Sequence, residues 1–134
     1  MEHKVLIIED DPATSRLVEY SLRHAGYQVI RAANGLEGIR MARSEAPDLV
    51  ILDVMLPGLD GYEICHRLKG DAATARLPIL MFSAKAQEID RNTGLKVGAD
   101  EYLTKPAAPA DIVGRVQKLL AKRDVTAPAR KDAA

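Results

Sequence analysis

Three runs of four apolar residues, Val5-Leu6-Ile7-Ile8, Leu49-Val50-Ile51-Leu52 and Ile79-Leu80-Met81-Phe82, contain no polar alternation. A strand with one face in water alternates apolar with polar side chains. A strand covered on both faces does not, and continuous runs of this kind belong to parallel sheets lying between helices. A weaker run, Tyr102-Leu103, follows the same rule, while Gln28-Val29-Ile30-Arg31-Ala32 has polar flanks and reads as an edge strand.

The segments between these runs carry helical periodicity. Pro12 to Ala25 places Leu17, Val18, Ser21, Leu22 and Ala25 on one face, with Gly26 as the stop. Asn34 followed by Glu37 resembles a capping box, and Leu36, Ile39 and Ala42 supply the apolar stripe behind it. Gly61 to Leu68 groups Ile64, Cys65 and Leu68, and Glu88 to Val97 is a looser helix stopped by Gly98. Pro109 to Lys122 gathers Ile112, Val113, Val116, Leu119 and Leu120, with Pro109 suited to a first helical turn. Strand and helix alternate five times. The fold class is therefore α/β: a doubly wound, five-stranded parallel sheet with five helices, joined by right-handed crossovers.

At 134 residues the chain is long enough for one domain with a real core and no disulfides. The single Cys65 excludes an internal disulfide framework and fits a reducing compartment. Formal net charge is zero, so no overall field points to nucleic acid or an anionic membrane. No stretch approaches the roughly 20 apolar residues of a membrane span, and nothing resembles a signal peptide. A cytoplasmic protein is expected. The final residues mix Ala, Pro and charges without periodicity, so residues 1–123 read as the domain and 124–134 as a flexible tail or the start of a linker.

In open α/β sheets ligands bind beyond the carboxyl ends of the strands. The first strand runs into Glu9 and Asp10, the third into Asp53, the fourth into Ser83, and the fifth into Thr104-Lys105-Pro106. Asp11 precedes Pro12 and a helical pattern, so it reads as a helix cap. Glu9, Asp10 and Asp53 concentrate negative charge, which is unfavourable unless a cation binds or protons stay on. An oxygen-only set of a few carboxylates suits Mg²⁺ (or Mn²⁺) better than Ca²⁺, and the histidines and Cys65 lack zinc spacing. With a hydroxyl and an amine alongside, the chemistry indicated is phosphoryl transfer to Asp53 as nucleophile, with Lys105 and the metal neutralising charge and Ser83 donating a hydrogen bond. Each assignment alone is weak, because an exposed lysine is usually only solvated and a serine after a strand is usually turn chemistry. Their joint placement carries the reading.

The segments IIEDD, DLVILDVMLPGLDGYE, PILMFSA and GADEYLTKP match in type, order and spacing. By them the chain resembles the receiver domain of two-component response regulators, from about residue 3 to 123. The resemblance implies the flavodoxin-like strand order 2-1-3-4-5 and phosphorylation of Asp53 by a histidine kinase or phosphotransfer protein. It also implies metal binding by Glu9, Asp10, Asp53 and the Met55 backbone carbonyl, and a cis bond between Lys105 and Pro106. Ser83 takes the place of the switch hydroxyl and Tyr102 that of the switch aromatic. On phosphorylation the hydroxyl moves inward, the ring follows, and the surface of helix four, strand five and helix five changes. Tyr102 has a simpler reading as a half-buried strand residue with no switching role.

The chain departs from the family pattern at Ala107, where Phe is frequent, and at Ala108, where a helix cap is frequent. Arg91 with Asp111, and Asp100 and Glu101 with Arg115 and Lys122, resemble charges through which DNA-binding members dimerise; the alternative is a solvated charged face. No direct nucleic-acid or membrane contact is expected, and the downstream effector is open. Two competing functions are a haloacid-dehalogenase-type aspartyl-phosphate phosphohydrolase and a degenerate receiver serving only as an interaction module. The first is disfavoured by Asp53-Val54-Met55 following the third strand, where that family has Asp-x-Asp after its first.

Overall fold

The computed structural model of the chain describes residues 3–126. Five strands, β1 (Lys4–Ile8), β2 (Gln28–Ala32), β3 (Leu49–Leu52), β4 (Ile79–Ser83) and β5 (Glu101–Thr104), form one sheet in the order β2-β1-β3-β4-β5. Every pairing is parallel. The connecting helices are α1 (Pro12–His24), α2 (Gly35–Ser44), α3 (Gly61–Gly70), α4 (Glu88–Lys96) and α5 (Pro109–Thr126). Among the described residues no helix is long and apolar enough to cross a membrane.

The apolar runs do alternate, but between two apolar layers. Leu6, Ile8, Val50, Leu52, Ile79 and Met81 face the layer that includes Ile64, Cys65 and Leu68 of α3. Val5, Ile7, Leu49, Ile51, Leu80 and Phe82 face Val18 and Leu22 of α1 and Ile112, Val116, Leu119 and Leu120 of α5. Period-two geometry is intact, and each strand lacks a wet side. Cys65 is buried in the first layer as a free thiol, which burial pushes up to about 11.

Three expected core positions, Leu17, Ala25 and Leu36, lie outside. Leu17 and Leu36 are 49% and 68% exposed. A Cβ added at Gly38 would sit 2.5 Å from Ile8 Cδ1, so α2 lies on β1 through its glycine face and turns Leu36 to solvent. In α1 the buried face is Ser15, Val18, Ser21 and Leu22, and the Ser21 hydroxyl is satisfied by donating to the Leu17 carbonyl at 2.9 Å. Hydrophobic periodicity alone does not reveal a face built from small residues.

The helix starts follow the capping logic. Asp11 accepts from the Thr14 backbone N–H at 3.1 Å and from its hydroxyl at 2.5 Å. Asn34 accepts from Glu37 N at 2.9 Å, while the Glu37 carboxylate reaches Ala33 N, one residue before the cap. At the other end α5 runs past Lys122, because Arg123 donates to Asp48 Oδ1 at 2.8 Å and Asp124 lies 3.3 Å from His3 Nε2. The helix thus continues through Thr126, into the expected tail at 124–134, and residues 127–134 lie outside the described residues.

Register sets up the rim. Ile8 pairs with Ala32 and Leu52, and Ser83 pairs with Thr104. The ladder extends one residue beyond β1 and β3, with Glu9 N donating to Ala32 O and Asp53 N to Ile8 O, each at 3.1 Å. Glu9 and Asp53 therefore leave adjacent strands at the same height.

Candidate functional site

One oxygen from each of Glu9, Asp10 and Asp53 lies within 4.8 Å of the others. Glu9 and Asp53 are buried and Asp10 is exposed, so the cluster opens to solvent on the Asp10 side. Lys105 enters from the end of β5 and points Nζ at both buried carboxylates, 2.6 Å from Glu9 Oε1 and 3.3 Å from Asp53 Oδ2. The lysine also lies over the Phe82 ring, 5.4 Å from its centroid. The Lys105–Pro106 peptide is cis.

The other carboxylate oxygens take backbone donors. Glu9 Oε2 accepts from Asp11 N at 3.2 Å, and Asp53 Oδ1 from Met55 N at 3.0 Å. Burial pushes Glu9 up to about 7; the Lys105 hydrogen bond opposes that rise and the Asp53 charge adds to it. For Lys105, burial acts to lower the pKa, but the Glu9 hydrogen bond and the Asp53 and Glu9 charges outweigh it and hold the ammonium above its ordinary value. One ammonium faces three clustered carboxylates. Hard oxygen donors with surplus negative charge and one solvent-facing member are the donor set of a hydrated divalent ion.

Beside the cluster is a cleft of about 510 Å³, whose walls include Asp10, Met55, Pro57, Tyr62 and Lys85. Met55 is 54% exposed at this cleft. The loop after Asp53 folds back tightly: Gly61 N donates to Val54 O at 2.9 Å, and a Cβ on Gly61 would meet Asp53 O at 2.4 Å. Only glycine permits that approach. Asp60 then caps α3, accepting from Glu63 N at 2.9 Å.

Ser83 is fully buried at the end of β4, and its Oγ accepts from Lys85 N at 3.3 Å. Tyr102 is 3% exposed and donates to the Lys85 carbonyl at 2.7 Å. Tyr102 is therefore buried, not half-buried, with its ring packed inside the fold. Gly94 of α4 makes the space: a Cβ there would lie 2.8 Å from Met81 Sδ and 3.0 Å from Tyr102 Cδ2.

Three of the charges expected at a dimer surface, Asp100, Glu101 and Arg115, form ion pairs within the chain. Glu101 pairs with Arg115. Asp100 accepts from Lys69 Nζ at 3.2 Å and from Ile79 N at 2.8 Å. Arg91 lies 5.9 Å from the Tyr102 ring centroid, Asp111 stands in the first turn of α5, and Lys122 is exposed on the same helix. The sequence reading did not single out Gly61, Tyr62, Lys85 or Gly94. Asp60-Gly61 before a helix was the one legible signal among them, as a cap followed by a residue that tolerates close approach.

A five-stranded 2-1-3-4-5 parallel sheet with an acidic pair, a further Asp, a hydroxyl and a lysine on its carboxyl rim defines a receiver-type signalling domain. The chain belongs to the response regulator receiver domain family, whose profile matches residues 5–117. It is 42% identical over 128 residues to the alkaline phosphatase synthesis transcriptional regulatory protein PhoP of Bacillus subtilis, covering 96% of this chain and 52% of that protein. It is 46% identical over 121 residues to the DNA-binding dual master transcriptional regulator RpaA of Synechocystis, covering 90% of this chain and 50% of that one. The chain thus spans about half the length of these curated relatives.

Among solved structures, the Vibrio cholerae chemotaxis protein CheY4 superposes with a TM-score of 0.84 at 29% identity, covering 89% of this chain and 99% of that one. The receiver domain of the Pseudomonas aeruginosa sensor histidine kinase PA1611, solved with a magnesium ion in its active-site cleft, gives 0.83 at 30% identity, covering 90% and 99%. The fold and the two-component signalling class expected from the sequence are both established. The phosphohydrolase and the degenerate receiver find no support in these relationships.

Proposed function

We propose that Asp53 is the phosphoacceptor of this receiver, and that Glu9, Asp10, Asp53 and the Met55 backbone carbonyl hold Mg²⁺ or Mn²⁺ beside it. The observation that carries this reading is the convergence of the three carboxylates with Lys105 bonded to two of them. The magnesium in the Pseudomonas receiver supports the choice of ion. When bound, the ion neutralises charge on the transferred phosphoryl oxygens.

An Asp53 carboxylate oxygen attacks phosphorus of a phosphohistidine on the donor. The new O–P bond forms as the P–N bond breaks, and that electron pair leaves with the imidazole nitrogen. Lys105, held protonated by its carboxylate neighbours, moves its hydrogen bond from Asp53 to a phosphoryl oxygen, and Ser83 donates to another. Attack of water on phosphorus later releases inorganic phosphate and restores the carboxylate. The donor is a histidine kinase or phosphotransfer protein, and the domain serves as a switch whose only chemistry is on itself.

On this reading the buried Tyr102, bonded to the Lys85 carbonyl, corresponds to the state that phosphorylation favours. The output surface is α4, β5 and α5. A homodimer through that surface would draw first on Arg91 and Asp111, since Glu101, Arg115 and Asp100 are engaged within the chain. The named relatives support control of transcription by a longer protein carrying this domain. Incubation with Mg²⁺ and acetyl phosphate, followed by intact-mass measurement, is expected to give one phosphoryl adduct in the wild type and none in Asp53→Asn. An adduct of equal yield in the variant would overturn the assignment.

A further inference from the structure

Lys85, two residues past Ser83, is held from three directions. Its N–H donates to Ser83 Oγ at 3.3 Å, and its carbonyl accepts from the Tyr102 hydroxyl at 2.7 Å. Its ammonium lies over the Tyr62 ring, 5.9 Å from the centroid. The first two contacts belong to the switch pair already described. The third comes from a different element.

Tyr62 stands in the first turn of α3, directly after Gly61, whose backbone is pressed against the Asp53 carbonyl. Its hydroxyl crosses to α4 and donates to the Asp90 carbonyl at 3.1 Å. Asp90 lies in the first turn of α4, where its carboxylate accepts from Gln87 N at 3.2 Å. The Tyr62 and Tyr102 hydroxyls are close enough for each to perturb the other's ionisation. A continuous set of contacts therefore leads from the Asp53 loop through Gly61 and Tyr62 to both the Lys85 loop and the start of α4.

We propose that Tyr62 is a second aromatic positioning residue of the switch: from α3 it holds Lys85 and the first turn of α4 where Tyr102 can bond inward. The proposal rests on the assignment of Asp53 as acceptor and adds a route by which its loop biases α4. Tyr102 reads the position of Ser83 through β4. Tyr62 reads the position of the Asp53 loop through α3, and both act on Lys85. The two contacts meet on Lys85, Tyr102 at its carbonyl and Tyr62 at its ammonium, so each supports the other and the inward state is favoured cooperatively. By linkage, whatever favours the inward state must also strengthen binding of a phosphoryl group or its mimic.

The test uses the full chain as wild type, Tyr62→Phe, Tyr102→Phe and the double variant. Two readouts are taken: beryllofluoride affinity in Mg²⁺ by calorimetry for all four, and the fluorine resonance of Tyr102 in fluorotyrosine-labelled wild type and Tyr62→Phe, with and without the mimic. Tyr62→Phe keeps the ring and removes only the hydroxyl, and thermal melting and Mg²⁺ titration serve as controls for folding and the metal site. The expected result is about ten-fold weaker beryllofluoride binding with unchanged Mg²⁺ affinity, and a Tyr102 resonance displaced toward its exposed position. The double variant should lose little more than Tyr102→Phe alone. An unchanged Tyr102 resonance with affinity within about two-fold of wild type, or strictly additive losses, would overturn the proposal. Failure of the acceptor assignment is separately visible: wild type would then bind no mimic, or Asp53→Asn would bind it equally. The resonance measured without mimic still decides the role of Tyr62 in that case.

Discussion

Lys105 Nζ stands 2.6 Å from Glu9 Oε1, although the two residues are 96 positions apart in the chain. The contact joins the end of β5 to the end of β1 along the carboxyl edge of the sheet, and Asp53 from β3 lies between them. It places one cation among carboxylates that would otherwise repel, and leaves negative charge in excess for a divalent ion. On the proposed assignment stability and function are opposed here, because the charge density that would hold a metal also destabilises the metal-free fold.

Replacing that cation tests the balance. Lys105→Met leaves Glu9 and Asp53 buried without their shared donor, so metal-free stability at pH 8 is expected to fall by about 2 kcal/mol. Mg²⁺ should recover part of the loss. Urea denaturation with and without Mg²⁺ measures both effects, and phosphorylation by acetyl phosphate should drop sharply. A variant as stable as wild type would show that Lys105 contributes no net compensation.

The pH dependence follows from Glu9. Its folded-state pKa is raised from 4.5 to about 7, so the folded metal-free protein holds this proton more tightly than the unfolded chain. The contribution is complete below the unfolded value and is lost as pH rises through about 7. Metal-free melting temperature should therefore decline between mildly acidic and neutral pH, and Mg²⁺ affinity should rise over the same interval as the proton leaves. Glu9→Gln should flatten both profiles. A metal affinity independent of pH across that interval would contradict the assignment.

Gly94 offers a steric handle on the switch. A methyl group there meets Met81 and the inward Tyr102 ring. Gly94→Ala is expected to displace the ring outward and weaken beryllofluoride binding, although alanine is the better helix former. Crystallography or tyrosine fluorine resonances would show the ring position. Retention of an inward Tyr102 with full affinity would mean that α4 moves aside at little cost.

The neighbouring acids should separate cleanly. Asp11→Ala removes the α1 cap and should lower the melting temperature while leaving the phosphoryl adduct intact. Hydrogen bonding from Thr14 holds the Asp11 carboxyl below its ordinary value, so its stabilising effect persists at neutral pH and fades as pH falls through the acid range. Asp10→Ala should do the reverse, reducing Mg²⁺ affinity and adduct yield with little loss of stability. Equal effects on both readouts in both variants would undo the division of roles.

Much of this could be read in advance for identifiable reasons. Val5–Ile8, Leu49–Leu52 and Ile79–Phe82 lack alternation because both faces of each strand are covered, and that property is local. Asp11, Asn34 and Pro109 mark helix starts by chemistry confined to one turn. Glu9, Asp10, Asp53, Ser83 and Lys105 could be listed because strand ends are visible and ligands gather there. The misplacements have a common cause. Leu17 and Leu36 were expected inside because they are apolar, yet which helix face meets the sheet was settled by small residues such as Gly38. The end of α5 was set by Arg123 and Asp124 reaching Asp48 and His3, partners far away in the chain.

By itself the sequence determined the alternation of strands and helices, the residues delivered to the sheet's carboxyl rim, and through its motifs the receiver family. These depend on side-chain type and short-range spacing, which a linear chain carries in full. Only the tertiary structure decided that Lys105 bonds Glu9 as well as Asp53, that Tyr102 lies inward in the space left by Gly94, and that Tyr62 bridges α3 to α4. Those contacts join elements separated by tens of residues. They arise from helix placement and register, which the packing of the whole core settles at once.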